Sequence, residues 1–152
     1  MAMSLLDTAP GTELGHSDWF LIAQDRIDTF ADVTEDWQFI HTDPVRAADS
    51  PFGGTIAHGF LTLSLLSRMF GQVMPDMDGA RESLNYGFDT LRFLSPVPVG
   101  SRLRGVFTLN AFEERRPGTR LLRLGVKIEI EGKERPALAG EWLVLLVYGE
   151  QA

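Results

Sequence analysis

Asp36 and His41 lie five residues apart in Asp36-Trp37-Gln38-Phe39-Ile40-His41, and the glycine-punctuated segment Phe52-Gly53-Gly54-Thr55-Ile56-Ala57-His58-Gly59 follows. A carboxylate and an imidazole that reach the same water can trade its proton. Gly59 opens an apolar helix. The first amides of a helix lack intrahelical partners and sit at the positive end of its dipole. An acid–base pair beside such an amide suits reactions that build negative charge on a carbonyl oxygen. Taken singly, Asp36 reads as a helix-end or turn residue and His41 as a satisfied loop histidine. Their order with the Gly59 helix favours catalysis.

Other chemistry-bearing residues read more plainly. His58, just before the helix, suits a capping or backbone-orienting role. Gly53-Gly54 lacks the Lys-Ser/Thr of a phosphate loop and reads as a turn. The three histidines, His16, His41 and His58, are too scattered for a zinc ligand set, and no His-Glu-x-x-His helix exists, so no metal is expected. Cysteine is absent, which removes disulfides, thiol nucleophiles and Cys-based metal sites. Trp37 and Trp142 read as packing residues.

The elements that must position these residues can be traced along the chain. Asp18 to Ala23 reads as a short extended segment. Asp25 is expected to N-cap a helix that buries Ile27, Phe30, Ala31 and Val33 and ends near Thr34-Glu35. Asp43-Pro44 starts a second, short helix, with Pro44 at its first position. From Gly59, Phe60, Leu61, Leu63, Leu65, Leu66, Met69 and Phe70 point all around a helix, and no charged residue occurs between Ser50 and Ser67. That pattern predicts a helix buried on every side.

The remainder is strand-like. Leu84, Tyr86 and Phe88 alternate, and Leu91 and Phe93 continue in the opposite phase, predicting a β-bulge near Asp89-Thr90. Leu103, Phe107, Leu109 and Ala111 line one face of the next run. Beyond the Pro117-Gly118 turn, Leu122, Leu124, Val126, Ile128 and Ile130 alternate with polar or small residues. Leu138 to Tyr148 forms a last strand, apolar on both faces toward its end. The expected fold class is α+β, an antiparallel sheet wrapped around a long buried helix.

Bulk properties narrow the function. The 152 residues, 44% hydrophobic, fit one domain spanning 1–152. Twenty-one acidic residues against 14 basic ones give a net charge of −7, which argues against a nucleic-acid or anionic-membrane partner. The N-terminus has no basic stretch followed by a long apolar core, so a soluble cytoplasmic protein is expected.

The residues Asp36-x-Gln38-x-x-His41, Asp43-Pro44 and Pro51 to Thr62 resemble the MaoC-like, (R)-specific enoyl-CoA hydratases, a hot-dog-fold family. A weaker echo follows at Arg92 to Gly100. Within the family the nodulation protein N-like subgroup is most similar. The resemblance implies a catalytic Asp36/His41 dyad and the Gly59 N–H as oxyanion donor. Gln38 stands where the family usually has Asn and Phe39 where Pro is usual; Gln38 and Ser67 would lie near the substrate. It further implies reversible addition of water to a trans-2-enoyl thioester of coenzyme A or acyl carrier protein, a homodimer, and no metal or redox cofactor. Coenzyme A phosphate is a lesser reading of Arg115, Arg116, Arg120 and Arg123, which flank a turn and read first as solvated surface.

Two other functions compete. A hot-dog thioesterase would hydrolyse the same thioester, but such enzymes commonly carry a carboxylate on or near the central helix, and Phe60 to Phe70 contains none. A non-catalytic acyl-thioester-binding subunit is the other, against which the intact Asp36/His41 pair argues.

Overall fold

The computed structural model describes residues 3–149. A 3-10 turn (Leu5–Asp7) precedes β1 (Glu13–His16) and β2 (Phe20–Leu21). Helices α1 (Gln24–Thr34), α2 (Phe39–Thr42), α3 (Pro44–Ala48), α4 (Gly59–Ser64) and α5 (Leu66–Val73) follow. Strands β3 (Glu82–Phe93), β4 (Arg102–Arg116), β5 (Thr119–Ile130) and β6 (Leu138–Val147) complete one antiparallel sheet, ordered β1-β4-β5-β6-β3, with β2 also on β4.

The sheet follows from side-chain period. In β5, Leu122, Leu124, Val126, Ile128 and Ile130 are all buried, as their alternation predicts. In β6, Trp142, Leu143 and Val144 are buried in succession, so both faces of that strand are covered. Leu103, Phe107 and Leu109 of β4 join Trp142, Val144 and the β5 residues in one core with Ile27, Leu61, Leu66, Met69 and Phe70. The β3 register slips between Phe88 and Thr90, where the bulge is expected, and again between Asn85 and Gly87. The sequence reading does not anticipate β1, because in Glu13-Leu14-Gly15-His16 only Leu14 is buried.

Four expectations are corrected. The helix from Gly59 is not one rod buried on every side: it breaks at Leu65 into α4 and α5, and Phe60 is 68% exposed. Its buried face is Leu61, Thr62, Leu66, Met69 and Phe70, which pack against the sheet, while Ser64 and Ser67 face outward. Asp25 does not cap α1. The helix begins at Gln24 after Ala23, and the Asp25 carboxylate accepts only from its neighbour Arg26 N at 2.8 Å. Trp37 is exposed, its Nε1–H donating to Asp32 at 2.7 Å, whereas Trp142 does pack in the core. Val33, expected on the buried face of α1, is also exposed. Among the described residues no helix is long and apolar enough to cross a membrane.

Candidate active site

The end of helix α1 positions the Asp36 carboxylate. Ile27 and Ala31, four residues apart, bury one side of it, and Glu35 then adopts a left-handed conformation (φ 59°). This reversal lets the N–H groups of Glu35 and Asp36 both reach the Ala31 carbonyl, satisfying the helix end. Asp36 therefore leaves the helix at a fixed angle.

The imidazole of His41 comes from the next turn. The single turn α2 carries His41, and α3 follows with Pro44 at its first position and the Asp43 carboxylate accepting from Arg46 N at 3.0 Å. Gln24 anchors this region: its Nε2 donates to the His41 carbonyl at 2.7 Å, and its Oε1 accepts from Thr55 Oγ1. Segment 55–58 lies between α2 and the loop after β3, where Ile56 N donates to Ile40 O and Ala57 N to Val97 O.

His41 is buried, and its Nδ1–H donates to the Ile56 carbonyl at 2.7 Å. That bond fixes the tautomer and leaves Nε2 as the atom free to take a proton. Burial holds the His41 pKa below the ordinary imidazole value. The Ile56 bond opposes that shift, the neighbouring His58 adds to it, and Asp36 opposes it. That lowering favours the neutral imidazole near pH 7.

His58 is the residue that sequence reasoning undervalued. Its ring stacks on His41 with centroids 3.9 Å apart and planes inclined by 24°. It does not cap α4 through its side chain; its Nε2–H donates instead to the Asp36 carbonyl at 2.9 Å, the backbone-orienting alternative. The Asp36 carboxylate comes within 4.0 Å of the same nitrogen. The histidines expected to be scattered are thus in part gathered, although His16 stays apart on β1.

One polar atom from each of Asp36, His41 and His58 lies within 4.8 Å of the others. Zinc binds an imidazole at about 2.0–2.1 Å along a lone pair in the ring plane. In two rings stacked at 3.9 Å with planes inclined by 24°, the in-plane lone pairs lie in nearly parallel planes, a poor arrangement for binding one ion together. A water hydrogen-bonded to two partners at about 2.8 Å each fits the spacing of Asp36 and His41 better. The cluster suits moving a proton.

A pocket of about 220 Å³ adjoins His41 and is lined by Gly59, Thr62, Phe93, Ser95, Pro96 and further apolar residues. Gly59 begins α4, so its N–H belongs to the first turn, where amides have no intrahelical acceptor. A Cβ on Gly59 would stand 3.0 Å from the half-exposed Phe93 ring, a close contact that glycine avoids. Thr62 is buried, with its hydroxyl unpartnered at the pocket. Its position one turn beyond Gly59 on an apolar helix was the available signal. Asp36, Gln38 and Ser67 do not line this pocket; Gln38 is exposed at the start of α2 and Ser67 is exposed on α5. The positions proposed for substrate contact by Gln38 and Ser67 therefore sit outside it.

Phe39, where the family usually has Pro, stacks under the Arg46 guanidinium at 4.3 Å. Residues 6–129 match the MaoC like domain. The chain is 50% identical over 139 residues to Nodulation protein N of Rhizobium leguminosarum bv. viciae, covering 91% of this chain and 86% of that one. It is 45% identical over 142 residues to 3-hydroxyacyl-thioester dehydratase Z of Mycobacterium tuberculosis, covering 93% of each. The structure of the (R)-hydratase from A. caviae involved in PHA biosynthesis superposes with a TM-score of 0.74 at 28% identity, over 91% of this chain and 96% of that one. With its antiparallel sheet packed on α5 and these likenesses across most of its length, the chain belongs to the MaoC-like hydratase/dehydratase family of hot-dog folds, in the nodulation protein N-like subgroup.

Proposed function

We propose that this protein is an (R)-specific enoyl-CoA hydratase, equally a 3-hydroxyacyl-thioester dehydratase, working through Asp36 and His41 with the Gly59 amide as oxyanion donor. The observation that carries the reading is the meeting of Asp36 and neutral His41 within 4.8 Å, with His41 and Gly59 lining one pocket. His41, anchored through Nδ1–H, takes a proton from water at Nε2 as the water oxygen bonds to C3. The double-bond electrons move toward C2, and the thioester oxygen gains charge, which the Gly59 N–H stabilises. Asp36 holds the water and stabilises the imidazolium. The same proton then passes from His41 to C2, giving the 3-hydroxyacyl thioester; dehydration is the reverse. No metal or redox cofactor is needed for these steps.

The active form is a homodimer in this reading. Phe60, Leu84 and Tyr86 are 68%, 48% and 52% exposed, and β3 is an open sheet edge. Unpaired edge groups beside exposed apolar side chains favour pairing with another chain.

Purified protein mixed with crotonyl-CoA and a medium-chain enoyl-CoA tests the reaction. Loss of enoyl absorbance without free thiol is expected. Thiol release would indicate a thioesterase, and no change in either signal a binding subunit; both overturn the reading.

A further inference from the structure

A second cavity, of about 380 Å³, lies beside the catalytic pocket and is lined by Pro51, Phe52, Pro98, Lys133 and Arg135 together with Ile56, Ser95 and Pro96. Those last three also line the catalytic pocket, so the two cavities share a wall. The wall is held by backbone bonds. Ala137 O, at the catalytic pocket, accepts from Leu94 N at 2.8 Å and Ser95 N at 3.3 Å, and the segment carrying Lys133 and Arg135 runs straight into Ala137. The isolated bridge between Ile56 and Pro98 ties the other side.

The charge at this mouth is opposite to that of the whole chain. The net charge is −7, yet neither cavity lining contains a carboxylate. Lys133 and Arg135 are exposed, and among the described residues neither joins an ion pair. Of the nearby acids, Glu131 is held by Arg102 at 3.0 Å, while Glu134 stands between the two cations in sequence but lines neither cavity. The arginines at the β4–β5 turn are less suitable. Arg123 is committed to Asp89 and Glu141, and Arg120 borders a different cavity with Tyr148.

We propose that Lys133 and Arg135 form a phosphate-binding mouth for the catalytic pocket. They would hold the phosphate of a pantetheine-linked acyl thioester while the acyl end reaches Gly59 and His41. The apolar shared wall of Ile56 and Pro96 would carry the arm between them. This inference rests on the thioester reading above and assigns its carrier end. Charge-assisted bonds from a planar guanidinium and an ammonium are the chemistry that recognises a phosphate.

Charge reversal of both residues, Lys133→Glu with Arg135→Glu, tests the mouth in the full chain. The expected result is a KM for crotonyl-CoA raised about tenfold with kcat little changed. The KM for crotonyl-N-acetylcysteamine, which carries no phosphate, should stay unchanged. Crotonyl-acyl carrier protein separates the sources. A parallel loss with both carriers assigns the pantetheine phosphate, and a loss with the coenzyme alone assigns its nucleotide phosphates; either supports the mouth. An unchanged KM for crotonyl-CoA, or equal losses with and without phosphate, overturns it. If no thioester is hydrated, calorimetric binding of free coenzyme A still decides. Binding weakened by the reversal upholds the phosphate mouth while the hydratase reading fails; binding that is absent or unaffected overturns the mouth.

Discussion

His41 is buried against Ile56 and His58 with Nδ1 bonded to the Ile56 carbonyl, and that setting governs the pH behaviour expected of the site. Its pKa lies below the ordinary value of 6.5, chiefly through burial. The neutral, proton-accepting form therefore persists as pH falls through 6.5. The acid limb of kcat/KM is expected to have its midpoint below pH 6.5; a midpoint above it would contradict a neutral, desolvated base. Stability carries the same sign: the unfolded chain binds this proton first, so the fold weakens as pH drops from the unfolded value toward the folded one. Asp36 and His41 were legible because their spacing and the following glycine helix lie within one local stretch of sequence. His58, Gln24 and Thr62 were less so, because their parts depend on a ring stack, a bond to the His41 carbonyl and a pocket that only the folded chain creates.

At the scale of elements, the β3 bulge makes a demand that period-two alternation foretells only in part. The phase change between Phe88 and Leu91 marks the slip, but the partner that tolerates it lies on β6. A Cβ on Gly140 would collide with the Thr90 carbonyl and crowd Leu91. Gly140→Ala should therefore destabilise the protein by about 1–3 kcal/mol, as overpacking against backbone does. Denaturant unfolding measures this, and an unchanged midpoint would show that β3 shifts freely. Alternation made β5 readable and a run apolar on both faces made β6 so, and Asp43-Pro44 marked α3 through its cap. Helix α1 starts at Gln24, ahead of Asp25, and the Gln24 side chain is engaged by the His41 carbonyl and Thr55, long-range bonds that local sequence does not announce.

For the whole molecule, the apolar residues from Phe60 to Phe70 predict a helix buried on every side, and the single chain covers only one. Phe60 lies on the open side near the Phe93 ring, 6.0 Å between centroids, and the β3 edge presents Leu84 and Tyr86. A second copy placed over these residues would complete the burial that composition implies. Sedimentation or light scattering is expected to give twice the mass of the 16.9 kDa chain, and Leu84→Asp with Tyr86→Glu to shift it toward monomer. A wild-type monomer at micromolar concentration would contradict the dimer.

The convergence of Asp36 and His41 on one water is tested most directly by the hydration rate of crotonyl-CoA in Asp36→Asn and His41→Ala, with folding verified by unchanged circular dichroism. Each variant is expected to lose about 10²–10⁴-fold in kcat with its fold retained. A folded variant of either residue that hydrates at the wild-type rate would contradict the dyad.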